Sequence, residues 1–236
     1  MRGWKTLKGR HFVIYADPDV SDSFLHSVSD RSEDYYEDIT EEFGFRRSNY
    51  WTWDERTKIV IFKDHDDYVK MTGLPAWTGG VAHTGQREIY TYSWAEDFLD
   101  NLLAHEMTHL IFREFVGYQT RTPPWFDEGM AVYQEKGNKE HYEEMIKKMA
   151  ESNQLIDLKI FRSLNAGNFS MPMVFYAQSA KMVEYLLTQF NDEYFLKFAS
   201  KLKDGENFEE TLFSVYGFKD IEDFNRDWRS YVSSEN

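Results

Sequence analysis

The stretch His105-Glu106-Met107-Thr108-His109 has the residue types and the spacing to handle a metal ion. On a helix, positions 105 and 109 lie one turn apart on one face, so two imidazoles there can share one cation. Glu106 sits about 100° around the helix from His105. That is close enough to take a proton from a water on the cation without ligating it. There are seven histidines and no cysteine in the chain. Disulfides, zinc ribbons and thiol catalysis are therefore excluded, and a metal site must use His and carboxylates. Eighteen residues separate His109 from Glu128. Two His and a Glu leave the fourth position of a zinc ion open for water, as in a catalytic rather than a closed structural site. Such an ion acidifies water and polarises a carbonyl, while Glu106 takes the proton and returns it to the leaving amine.

Several elements must position these groups. The run Phe98 to Val116 predicts a helix apolar on most faces (Leu99, Leu102, Leu103, Met107, Leu110, Ile111, Phe115), hence buried mid-domain. Buried imidazoles and a buried carboxylate need partners, and a metal supplies them. Ser93-x-x-Glu96 predicts a capping box directly before it, and Gly117 ends it. A second helix is expected from Thr122 as cap, with proline in its first turn, to Lys136 before Gly137.

Upstream, His11–Tyr15 and Thr57–Phe62 predict strands. Val20–Phe43 predicts a helix stopped by Gly44, and Asp64–Met71 a short one closed by Gly73-Leu74-Pro75. Tyr50-Trp51-Thr52-Trp53 reads as a loop whose tryptophans pack locally. Gly79–Ala82 and Glu88–Tyr92 form a strand pair joined by His83 to Arg87. Beyond Gly137 the pattern is helical: Glu140–Glu151, Val174–Phe190, Asp192–Leu202, Phe208–Tyr216 and Ile221–Val232. The expected class is α+β. A small mixed sheet and the site helix occupy an N-terminal lobe, 1–137, and an all-α lobe, 138–236, completes the cleft of a single catalytic unit.

With 236 residues, 42% hydrophobic and 17% aromatic, the chain can bury a sizeable core. A formal charge of −14 argues against nucleic acid or an anionic membrane as partner and modestly favours cationic substrates. No apolar run is long enough to span a bilayer. Met1-Arg2-Gly3-Trp4-Lys5 lacks the apolar core of a signal peptide, so the expectation is a cytoplasmic protein if the chain is complete, or a secreted or periplasmic one if a leader was removed. The sequence is silent on oligomeric state.

The two-part pattern His105-Glu106-x-x-His109 and Trp125-Phe126-Asp127-Glu128-Gly129-Met130-Ala131 resembles the gluzincin zinc metallopeptidases, the superfamily of thermolysin and aminopeptidase N. The closer resemblance is to the small bacterial peptidase-MA-like domains, whose zincin-like fold is thereby implied. The resemblance makes His105, His109 and Glu128 the ligands of one Zn2+ and Glu106 the general base. It makes Gly79, Gly80, Val81 and Ala82 the edge strand that pairs with a peptide or protein substrate. His83 falls where aminopeptidase-N-like enzymes carry a Glu that holds the free amine, so an endopeptidase fits better. Tyr176 is the candidate oxyanion donor, the other reading being a core tyrosine, and His141 is the fallback.

Other groups have plainer readings beside their functional ones. Asp127 is a first-turn carboxylate favoured by the helix dipole. Glu135, two turns past Glu128, is either a partner for a ligand histidine or a solvated surface residue. His11, His26 and His65 show no partner pattern and default to surface or structural roles. The alternative to an enzyme is a non-catalytic peptide- or protein-binding module with structural zinc.

Overall fold

The computed structural model describes residues 3–45, 51–52, 55–75, 78–167 and 169–234. Five strands form one sheet: β1 (Lys5–Lys8), β2 (Phe12–Ala16), β3 (Thr57–Phe62), β4 (Gly80–His83) and β5 (Glu88–Tyr92), in the order β1-β2-β3-β5-β4. β2, β3 and β5 are parallel, and the two edge strands are antiparallel to their neighbours. Ile59, Val60, Ile61 and Phe62 of central β3 are all buried, as expected of a strand covered on both faces. β1 is absent from the sequence expectations. Lys5-Thr6-Leu7-Lys8 holds a single apolar residue, and pairing with β2 is what makes it a strand.

Helix α1 (Asp22–Glu42) connects β2 to β3 and buries Phe24, Leu25, Val28, Tyr35, Tyr36 and Ile39 along one stripe. Gly44, at φ 72°, comes just after its end. Helix α2 (His65–Thr72) is capped by Asp64, whose side chain accepts from the Asp67 N–H, and is closed by Gly73. Trp51 is buried between Phe12 and Tyr36, as local packing required; Tyr50 and Trp53 lie outside the described residues.

The expected capping box at Ser93 does not form a helix start. Ser93 N–H bonds the Phe62 carbonyl, prolonging the sheet, and Trp94 turns to φ 57°. The helix opens at Phe98 with a π-helical turn, Phe98–Leu102, whose cap Asp97 makes no side-chain cap hydrogen bond. It continues as α3 (Leu103–Val116). Sheet pairing overrode a local capping signal.

By contact density the chain divides into two units, Met1–Glu41 with Phe45–Glu114, and Glu42–Gly44 with Phe115–Asn236; α3 runs through the border. The second unit is helical: α4 (Pro124–Tyr133), α5 (Lys139–Glu151), α6 (Leu158–Phe161), α7 (Pro172–Thr188), α8 (Asp192–Lys203), α9 (Phe208–Tyr216) and α10 (Ile221–Ser234). α7 is buried along most of its length, and Phe126 packs against Phe195, Phe198 and Phe208. α6, one turn long, carries too few residues for a periodic signal. α4 starts after Pro123 rather than on a Thr122 cap, and the Thr122 hydroxyl donates to Asp127 Oδ1 at 2.5 Å. Among the described residues no helix is long and apolar enough to cross a membrane.

Candidate metal centre

Most of α3 is buried, including Leu103, Ala104, Met107, Leu110, Ile111 and Phe112. The half-buried positions of α3 are His105, Glu106, His109, Arg113 and Glu114, with Leu102 in the turn before it; 102, 105, 109 and 113 recur three to four apart along one face. The motif therefore occupies the least buried face of an otherwise apolar helix. Nε2 of His105 and Nε2 of His109 lie 3.2 Å apart, with the rings nearly perpendicular at 77°. Two nitrogens bound at ordinary zinc distances to a tetrahedral ion would be about 3.3 Å apart. The pair is spaced for one shared ion.

Glu106 is held differently. Its Oε2 accepts the main-chain N–H of Ala82 at 2.9 Å, which orients the carboxylate. This contact depends on how closely β4 lies along α3. A Cβ at Gly80 would stand 2.8 Å from Leu102 Cδ2 and 3.2 Å from the Tyr90 carbonyl, and one at Gly79 would stand 3.2 Å from the same Leu102 atom. Glycine leaves room for that approach, the Leu102 methyl being a side-chain end that could give and the Tyr90 carbonyl being fixed backbone. Farther along, Arg87 grips Glu114 with two hydrogen bonds of 2.7 and 2.8 Å. The β4–β5 hairpin is thus tied to the motif helix at residues 106 and 114 and lies close against Leu102 just before it.

In α4 the aromatic pair faces inward. Trp125 packs on Phe208 and Phe224, and Phe126 lies in the aromatic cluster, while the next two residues, Asp127 and Glu128, are half-buried. Gly129 has a steric reason to be glycine, since a Cβ there would come within 2.5 Å of the Ser179 carbonyl on α7. Each of His105, His109 and Glu128 offers one ligand atom to a group whose atoms all lie within 4.8 Å of one another. Among the described residues no other such trio of His, Asp or Glu occurs. Two imidazoles and a carboxylate are a zinc-type donor set.

The other expected residues lie on β4 and on helices of the second unit. Gly80, Val81, Ala82 and His83 form β4, and Gly79 immediately precedes it. His83 is exposed, with its ring edge-on to Tyr90 at 5.1 Å. Tyr176 is half-buried on α7 beside Phe175. Burial, with Glu135 and Tyr176 nearby, pushes the Tyr142 hydroxyl up. His141 is exposed on α5. Glu135 is buried and accepts from the Asn138 amide at 2.8 Å, so the solvated-surface reading of it does not hold. His11 is buried against Glu33. The Ala82 donor and the Arg87–Glu114 clasp have no sequence signal, because each joins residues that only folding brings together.

The fold and the half-buried His-His-Glu group define a metallopeptidase-type domain of the gluzincin kind. The chain belongs to the Peptidase MA superfamily, whose model matches residues 55–234. Yeast LTA4 hydrolase, solved in complex with bestatin, matches 91% of this chain at a TM-score of 0.50 and 15% identity. At that identity the likeness speaks to fold alone. The matched part is 36% of the yeast chain, so this protein spans about a third of that structure's length. No curated protein sequence matches it.

Proposed function

We propose that the chain is a zinc-dependent peptidase in which His105, His109 and Glu128 hold one ion and Glu106 is the general base. The observation that carries this reading is the convergence of those three ligand atoms within 4.8 Å, on donors of the right chemistry. Zinc, when bound, supplies a Lewis acid that acidifies water and polarises the scissile carbonyl. Glu106, whose Oε2 accepts the Ala82 N–H, accepts the proton of the attacking water and delivers it to the leaving nitrogen. An extended peptide adds to β4, the last strand of the sheet, through main-chain hydrogen bonds. Tyr176 donates to the developing oxyanion; it lies one turn before Ser179, where α7 meets α4 at Gly129. The exposed imidazole of His83 stands at the end of β4 and is no carboxylate anchor for a free α-amine, which favours cleavage within a chain.

The test is a broad peptide-library digest by the zinc-loaded protein. Cleavage should stop with 1,10-phenanthroline and return with added zinc. Glu106→Gln should keep its zinc and lose roughly 10²–10⁴-fold in rate. A zinc-loaded wild type that leaves the whole library intact would overturn the peptidase and favour a binding module.

A further inference from the structure

The π-helical turn that precedes α3 is an irregularity with a cause and a consequence. In a regular α-helix the N–H of Leu103 would bond the Leu99 carbonyl, four residues back. Here it bonds the Phe98 carbonyl, five back. The Asp97 carbonyl likewise serves two N–H groups, those of Asn101 at 2.9 Å and Leu102 at 3.2 Å. The Leu99 carbonyl has therefore lost its α-helical donor, and α1 replaces it. Tyr35, which is 1% exposed, donates its hydroxyl to the Leu99 carbonyl at 2.9 Å. One helical turn earlier on α1, Arg31 reaches the Asp100 carboxylate at 3.1 Å, and its guanidinium lies 5.9 Å from the centre of the Tyr35 ring. Two left-handed residues without a glycine's freedom, Trp94 at φ 57° and Asp97 at φ 55°, lead into the turn. Turns of this kind cluster at functional sites, and strain of this kind persists only where surrounding contacts hold it.

One extra residue in a turn offsets the rest of the helix by about one residue's rotation, roughly 100°. Relaxing the turn to regular α-helix would therefore rotate His105 and His109 relative to the strands, or force the preceding loop to absorb the change. We propose that Tyr35 is a positioning residue for the metal centre: by supplying the missing donor to Leu99 it holds the π turn, and the π turn sets the face that α3 presents with its two histidines. Tyr35 touches neither the ion nor the substrate. This inference rests on the zinc reading above.

Tyr35→Phe keeps the ring and removes only the hydroxyl. Zinc affinity is measured by competition with a chromophoric chelator, and amide hydrogen exchange is tracked across residues 98–106. The expected result is zinc binding weaker by about 10-fold, the size of losing one hydrogen bond that holds the turn, with faster exchange at the Leu103 amide and an unchanged circular dichroism spectrum. Wild-type zinc affinity in the variant would overturn the proposal, even if its thermal midpoint falls. If the wild type itself binds no zinc, the zinc reading fails separately. Exchange then decides the latch, and unchanged protection at Leu103 would overturn that as well.

Discussion

His11 with Glu33, and His105 and His109 with Glu128, bring histidine and carboxylate together in opposite ways. His11 is 2% exposed, with Nδ1 2.6 Å from Glu33 Oε2 and its main-chain N–H 3.0 Å from Oε1. Its ring stacks on Tyr36 at 3.8 Å. One glutamate serves both the ring and the backbone, and an aromatic face covers the ring, so that grouping is closed. His105 and His109 are half-buried and turn like atoms towards each other, Nε2 to Nε2 at 3.2 Å, with a Glu128 oxygen in the same group. One cation can serve both ring nitrogens and that carboxylate oxygen together. What separates the candidate ligands from the core histidine is therefore that two ring nitrogens and a carboxylate oxygen converge on one another on a half-buried face.

The contrast breaks first at the metal. His109→Ala should weaken zinc binding on the order of 10³-fold, since three protein ligands share the binding free energy of such a site. His11→Phe should leave zinc affinity unchanged and lower only stability. Competition titration of both variants decides it, and equal losses would dissolve the distinction. A smaller effect is expected at the base. Ala82→Pro deletes the N–H that reaches Glu106 and sets its ring carbon in that hydrogen's place, so the carboxylate must also shift, while the ladder to β5 is spared. Zinc should remain bound while the rate falls about 10-fold, as for one hydrogen bond to a charged group. A rate equal to wild type would show that Glu106 does not need that donor.

The smallest effect lies in the closed grouping. Burial raises Glu33, but hydrogen bonds from the ring and main chain of His11 outweigh it and hold its carboxyl below the ordinary value near 4.5. A depressed folded value means stabilisation that is complete above the ordinary value and is lost as pH falls through the folded one. Glu33→Gln should cost about 1 kcal/mol at neutral pH. Its deficit against the wild type should then shrink as pH drops below 4.5. Denaturant midpoints across pH measure this, and a deficit that persists unchanged in acid would assign it to packing.

The residues forming β3, β5 and α9 were legible to the residue, because strand alternation and helical periodicity are local and those segments are strongly patterned. β1 and α6 were not, the first lacking apolar residues and the second lacking length. The Ser93 capping signal was legible and misleading, since its N–H found a better partner in the Phe62 carbonyl.

The same division runs through the site. That His105 and His109 face one way is a consequence of the pitch of a helix, and that the donors are zinc-like is a consequence of the residue types; neither needs a fold. The glycines before Ala82 and after Glu128 could be seen, but not that the first meets Leu102 and the second Ser179. The donor on Glu106 comes from 24 positions away, and the hydroxyl on Leu99 from 64. Contacts at such separation are decided when the sheet and α1 pack on the helix, because no backbone geometry links those residues before then. Sequence settled which side chains share a helix face, and packing settled how that face is aimed and what holds its base.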